Sequence, residues 1–287
     1  MANTSTAPRY NEIILTEEQK QQIIKLYTVD KLSTVKIGKI IGVNRKKVAK
    51  VLEENNIARV GNGRRKYSLN ETYFDTIDTP NKAYILGFLY ADGYNSLDKQ
   101  TISLSLQEED KMILEAMRNE LNSEKTLEFI DYSNKHDFGY TYKNQYRLIF
   151  FSAHMCNSLN SIGMTQNKSL TLEFPAIDPS LYSHFIRGYF DGDGSVCFSA
   201  KTGNSIVTIT STNSFCEKIK SIISSTLNIH VGVYDASNKN SITKVASISG
   251  TNQVKVFLDY IYNDAELYLE RKYKKYEQKY LLADKAA

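Results

Sequence analysis

The 287 residues predict an α+β protein: a tandem αββαββα core with pseudo-two-fold symmetry, preceded by a small all-α domain. Three observations predict it. The phrase ILGFLYADG (residues 85–93) returns as IRGYFDGDG (residues 186–194), which sets Asp92 and Asp193 101 residues apart. After each phrase the apolar pattern repeats the same order of strands and helices, and repetition at a fixed period marks a duplicated unit. Charge also divides the chain. Residues 1–66 hold 14 Lys/Arg against 6 Asp/Glu, a net of +8; residues 67–287 hold 22 against 26, a net of −4. A basic front on a mildly acidic body is the pattern of a nucleic-acid anchor joined to a separate module.

The front, residues 1–57, reads as three short helices. Thr16 caps the first, with Glu17 and Glu18 in its opening turn and Ile23, Leu26 and Tyr27 as its apolar stripe. Ser33 or Thr34 starts the second, which carries Ile37, Ile40 and Ile41 and ends at Gly42. Asn44 caps the third, with Val48, Val51 and Leu52 inward and Arg45, Lys46, Lys47 and Lys50 outward. Gly38 leaves room for the third helix to cross closely. The arrangement resembles a helix-turn-helix of the resolvase or homeodomain-like sort, which implies that the third helix enters the major groove of DNA. Residues 58–79 are expected as a linker, whose Gly-rich basic stretch ends in Arg64, Arg65 and Lys66, suited to phosphates.

Residues 80–182 and 183–287 form the two repeats. In the first, residues 101–106 alternate polar and apolar as a half-buried strand does; 108–122 read as a helix with Met112, Leu114 and Met117 inward; 146–152 as a strand; 153–162 as a helix. The second repeats this with strands at 196–198, 206–210 and 245–249 and helices at 215–227 and 253–262. Alternation frees one face of each sheet to meet a partner. Thr101, Ser103, Ser105, Ser195, Thr208 and Thr210 fall on that polar face.

Composition narrows the chemistry. A hydrophobic content of 41% suffices for a globular core, and the longest apolar stretches, such as residues 83–91, are too short to span a bilayer. The polar start, MANTSTAPRY, lacks the apolar segment of a secretory signal, so a cytoplasmic or nucleoid-associated protein is expected, neither secreted nor in a membrane. Cys156, Cys197 and Cys216 form no C-x-x-C pair, and His136, His154, His184 and His230 are isolated, which disfavours disulfides, structural zinc and histidine metal sites.

The repeated phrase carries the chemical signal. Small residues four apart, Gly87 with Ala91 and Gly188 with Gly192, give each helix a face on which another backbone can come close. Packed together, the two copies bring Asp92 and Asp193 side by side at helix C-termini, beside the terminating Gly93 and Gly194. Helix C-termini carry negative partial charge, so two carboxylates there are mutually unfavourable until a cation neutralises them. Hard oxygen ligands of this kind suit Mg²⁺.

These phrases resemble the motif of the LAGLIDADG family of homing endonucleases, in its single-chain, two-motif form, over about residues 73–280. IRGYFDGDGS fits closely; ILGFLYADGY has Tyr90 where the family often has its first Asp, which makes the halves unequal. The resemblance implies a site-specific double-strand DNA endonuclease. Asp92 and Asp193 are then catalytic and bind Mg²⁺ (or Mn²⁺) with the carbonyls of Ala91 and Gly192. Each four-stranded sheet would lie in a major groove, with both cuts across the minor groove. The family also keeps a lysine in each half. Lys168 and Lys272 hold matching places, 76 and 79 residues past their aspartates, with Arg271 as the substitute in the second half. Such lysines stabilise the charge that gathers on the phosphate. The implied partner is double-stranded DNA with a long, weakly symmetric site, bound by a monomer. The alternative on the same scaffold is a non-cleaving DNA-binding transcription regulator or an RNA-splicing maturase; both aspartates and both lysines being present favours cleavage.

Overall fold

The computed structural model describes residues 14–30, 32–55, 57, 67–133, 136–137, 140–199, 203–236 and 242–282. The chain forms two compact units, Met1–Lys66 and Tyr67–Ala287.

The first unit holds α1 (Glu17–Thr28), α2 (Thr34–Ile41) and α3 (Arg45–Glu54). Thr16 and Gln19 cap α1 reciprocally, while Ser33 and Asn44 cap α2 and α3. Ile23, Ile37, Val43, Val48, Val51 and Leu52 form the core. Ile40 is exposed, because Ile37 and Ile41 already fill the buried face of a two-turn helix. Gly42 ends α2 with a φ of 79°, and a Cβ on Gly38 would stand 2.6 Å from the Val43 carbonyl oxygen.

The second unit begins earlier than expected. Residues 67–79 are not linker: Tyr73 and Phe74 are buried in the body's core, the Phe151 amide donates to the Tyr67 hydroxyl at 3.1 Å, and the Ser152 hydroxyl donates to Glu71. Thr79 caps α4 (Pro80–Asp92), with Pro80 at its first position. There follow β1 (Tyr94–Ser96), β2 (Thr101–Gln107), α5 (Lys111–Glu120), β3 (Glu128–Ile130), a small hairpin of β4 (His136–Asp137) and β5 (Tyr140–Thr141), β6 (Gln145–Phe151) and α6 (Ala153–Ser161). The second half has α7 (Tyr182–Asp193), β7 (Gly194–Phe198), β8 (Ser205–Thr212), α8 (Asn213–Leu227), β9 (Gly232–Asp235), β10 (Thr243–Ser249), α9 (Thr251–Tyr262) and α10 (Glu270–Tyr276). The sheets are antiparallel, in the orders β1-β2-β6-β3 and β7-β8-β10-β9, so the duplication read in the sequence is a duplication of topology.

Two local expectations change. The helix expected over 108–122 opens with a 3₁₀ turn, and Ile113, Leu114 and Met117 face the core while Met112 is 75% exposed. At about 100° per residue, with Ile113 at 0°, Leu114 lies at about 100° and Met117 at about 40°, so the buried stripe centres near Met117 and Met112, at about −100°, falls on the far side. Thr101 shares the face of Ser103 and Ser105 by alternation but is buried, with its hydroxyl donating to the Lys99 carbonyl at 2.9 Å, so it is not open to a partner there.

The motif helices α4 and α7 pack backbone to backbone. A Cβ on Gly87 would collide with the Phe185 carbonyl oxygen and stand 2.9 Å from the Tyr189 nitrogen. One on Gly188 would collide with the Tyr84 carbonyl oxygen and stand 2.8 Å from the Phe88 nitrogen. No side chain can retreat from a clash with main chain. Gly188→Val is therefore expected to cost about 3 kcal/mol or more and to lower the unfolding temperature by roughly 6–12 °C, read by calorimetry. Met112→Gln, at an exposed site, is expected to stay within about 0.5 kcal/mol of the parent; equal effects of the two substitutions would contradict this packing.

Candidate active site

Asp92 and Asp193 are the last residues of α4 and α7. Gly93 and Gly194 follow with φ of −76° and −85°, so they turn directly into strand and are not left-handed caps. Space demands them: a Cβ on Gly93 would stand 2.6 Å from the Leu89 carbonyl oxygen, and one on Gly194 would stand 2.5 Å from that of Phe190. The seam carries through to the helix ends. A Cβ on Gly192 would collide with that of Ala91 and stand 3.2 Å from Asp92 Oδ2. The two aspartates thus meet as the sequence predicts.

Both carboxylates reach solvent, yet the protein crowded around them still penalises their charge. That desolvation, with the charge of Asp193, pushes Asp92 up to about 6, while Lys272, Lys168 and Arg271 pull it back. Asp193 is raised too, by desolvation, against the pull of Lys168, Lys272 and the Tyr189 hydroxyl. Sequence spacing pairs Lys168 with Asp92 and Lys272 with Asp193, and in the structure each lysine charge acts on both aspartates.

Both lysines are buried, and burial lowers both ammonium groups, Lys272 to about 8. Lys168 lies in a 3₁₀ turn entered through Asn167 at a φ of 59°. Its Nζ donates to the carbonyls of Ala91 (3.2 Å) and Gly93 (2.8 Å). Lys272 lies in α10 and donates to Phe190 (2.5 Å), Asp191 (2.9 Å) and Gly194 (2.5 Å). Each ammonium sits where a helix C-terminus favours a cation. An ammonium has three protons. Among the described residues Lys168 uses two of them and Lys272 all three, so only Lys168 keeps a proton for an incoming group. Arg271 is engaged elsewhere: its Nε lies 3.1 Å from both carboxylate oxygens of Asp110.

Sequence reasoning missed the polar network beneath. Asp191 is fully buried and accepts from the Tyr84 hydroxyl (3.0 Å), the Tyr262 hydroxyl (2.8 Å) and the Leu269 amide (2.7 Å). Arg187, also fully buried, donates to the carbonyls of Leu267 (2.9 Å) and Ile261 (2.8 Å). The available signal was an oppositely charged pair, Arg187 and Asp191, one turn apart around the apolar residues 188–190. In the first half Tyr90 holds the place of Asp191, and its hydroxyl donates to the Ile162 carbonyl at 2.6 Å.

The other candidate residues lie on the sheets and on α3. Register and alternation put Ser103 and Ser105 on the outer face of the first sheet, both half-buried. Arg147 lies opposite Ser105, with its Nε 3.3 Å from the serine hydroxyl oxygen. Sequence reasoning missed it because β6 is apolar on both faces around it. On the second sheet Ser195 is directly opposite Thr208, and Thr210 follows on the same face. In the first unit Arg45, Lys46 and Lys50 are exposed and Lys47 is half-buried; Lys50 lies 3.8 Å from Glu54. Arg64, Arg65 and Lys66 lie outside the described residues. Among the described residues no group of three or more His, Cys, Asp or Glu could hold a metal ion, and no helix is long and apolar enough to cross a membrane.

Residues 180–262, which include the second motif, match the family described as LAGLIDADG-like domain. No curated protein matches the chain by sequence. Among solved structures, the homing endonuclease I-WcaI bound to its DNA recognition sequence is similar at 16% identity, over 75% of this chain and 95% of that one, with a TM-score of 0.50. I-DmoI in complex with DNA and Ca is similar at 14% identity over 73% and 99%, with a TM-score of 0.44. Full-length DUF199/WhiA from Thermatoga maritima is similar at 17% identity over 73% of this chain, with a TM-score of 0.45; the chain spans 63% of that protein's length. The body of the chain thus shares the fold of the homing endonuclease I-WcaI, and the LAGLIDADG-like match falls on its second half.

Proposed function

We propose that this protein is a site-specific, metal-dependent double-strand DNA endonuclease of the homing type. The observation that carries the reading is the meeting of Asp92 and Asp193 at two abutting helix ends, with Lys168 and Lys272 set against them. Two carboxylates raised by crowding and mutual repulsion suit a divalent cation. Two protein carboxylates suit Mg²⁺ (or Mn²⁺), which keeps several waters and takes its remaining ligands from phosphate.

Asp92 and Asp193 would hold the cation, with the Ala91 and Gly192 carbonyls as further oxygen donors; the Ala91 carbonyl already accepts from Lys168. When bound, the cation would neutralise the phosphate and activate the attack on it. The protein's own groups do the rest. Lys168 offers its remaining N–H to the phosphate or to the attacking water. Lys272, with its protons committed to α7, acts through charge and keeps the helix end in place. The polar outer faces carrying Ser103, Ser105, Ser195, Thr208 and Thr210 read base edges, with hydroxyls that both donate and accept. The three-helix unit acts as a helix-turn-helix whose Arg45, Lys46, Lys47 and Lys50 hold the backbone and extend a long, weakly symmetric target. One chain holds both half-sites, so the enzyme works as a monomer, in the cytoplasm or on the nucleoid.

Cleavage of a randomised duplex library with Mg²⁺, and its loss in EDTA, tests the reading. Asp92→Asn and Asp193→Asn are expected to bind the selected duplex as the parent does and to leave it uncut. Tight, specific binding by the parent without cutting in Mg²⁺ or Mn²⁺ would replace this reading with that of a non-cleaving DNA-binding regulator.

The lysines are expected to separate in a stability measurement. Lys272→Met leaves three carbonyls without their donor and Lys168→Met leaves two, so the former should be the less stable in urea, by about 1–3 kcal/mol. Equal losses would mean that the ammonium groups are interchangeable. Alanine at both Lys46 and Lys47 is expected to weaken duplex binding and to flatten its dependence on log[salt] by roughly one unit for each phosphate no longer neutralised. An unchanged slope would remove α3 from the interface.

A further inference from the structure

Asp191 is not one of the residues that faces the solvent-open site, yet it joins four parts of the second unit. Its carboxylate accepts from Tyr84 on the opposite motif helix, from Tyr262 at the end of α9 and from the amide of Leu269, the residue that precedes α10. The Leu269 carbonyl in turn accepts from the amides of Lys272 (2.9 Å) and Tyr273 (3.1 Å). The Lys272 side chain then runs back to the motif helix, where its Nζ donates to the main-chain carbonyl of Asp191 itself. The path closes on one residue. The Asp191 side chain holds the root of α10, and its main chain holds the tip of the lysine that α10 carries.

Among the described residues the first half shows no such loop. Tyr90 takes the equivalent position, and its hydroxyl reaches only the Ile162 carbonyl, six residues before Lys168. That single contact ties the loop upstream of Lys168 but does not touch the turn that carries it.

We propose that Asp191 is a positioning residue, which fixes the first turn of α10 and thereby seats Lys272 against the helix ends. The proposal rests on the nuclease reading for its consequence in catalysis, and on hydrogen bonding alone for its structural content. Its side chain accepts three hydrogen bonds, and to these bonds the positioning of α10 is assigned; its negative charge separately favours the Lys272 ammonium. An asparagine of the same shape still accepts from the Leu269 amide and Tyr84 through its oxygen, while the Tyr262 hydroxyl turns to accept from its NH₂.

The test compares the full chain with Asp191→Ala and Asp191→Asn, by amide hydrogen exchange and by turnover of a selected duplex. In Asp191→Ala, exchange at residues 269–273 is expected to rise at least about tenfold, and cleavage to slow by about 10- to 100-fold, with duplex affinity unchanged. Asp191→Asn is expected to restore both. Unchanged exchange in the alanine variant overturns the proposal, and so does an asparagine variant that behaves like alanine, since charge would then be the active property. Should the alanine variant not fold, the asparagine variant decides: loss of protection over 269–273 overturns the proposal, and retained protection supports it. If the parent cuts no duplex, the nuclease reading fails, while the exchange measurements still decide the role of Asp191.

Discussion

The close approach of α4 and α7 is the constraint on which the rest of this molecule depends. At Gly87 and Gly188 each helix occupies the space that the other's Cβ would need, and the contact is with main chain, which cannot move aside. Such packing brings the helix axes near enough for their ends to meet. Everything chemical about the site follows. The last residues of the two helices, Asp92 and Asp193, come into mutual repulsion at the negative ends of two helix dipoles. Uncompensated, that junction would be unstable. Two ammonium groups answer it, each tied to the carbonyls at the end of a motif helix and each acting on both carboxylates.

Duplication supplies the symmetry, and single residues break it. The sheets repeat strand for strand, and the two lysines reach the same kind of place from a 3₁₀ turn and from a helix. Yet Lys272 is saturated by three carbonyls while Lys168 keeps a proton to spare, and Asp191 anchors one loop where Tyr90 merely touches the other. Because each lysine also acts on both carboxylates, the charge at the junction is shared between the repeats.

Much of this was legible in the residue order because repetition and small-residue spacing are local signals. The glycine seam, the meeting of the aspartates and the duplicated strand plan come from counting along the chain, while Lys168 and Lys272 come from the family resemblance, with their matched spacing in support. What lay beyond reach depends on tertiary partners. The burial of Tyr73 and Phe74, which turns an expected linker into core, needs the surface they pack on. The strands β1, β3 and β9 are three or four residues long and take their form from neighbours in the sheet, not from any pattern of their own. Asp191 reads in sequence as one more acid in a Gly-Asp turn; its three donors come from residues up to 107 positions away.

The central claim is that the glycine seam makes one shared cation site out of two distant aspartates. Paramagnetic broadening of amide signals by Mn²⁺ tests it most directly, and needs no knowledge of the DNA target. Titrated into the isotope-labelled chain, Mn²⁺ is predicted to broaden the amides of Gly93 and Gly194 first and together, and to lose that selectivity in the Asp92→Asn/Asp193→Asn variant. Broadening that begins at other acidic residues, or that is the same in the parent and the variant, would contradict the account.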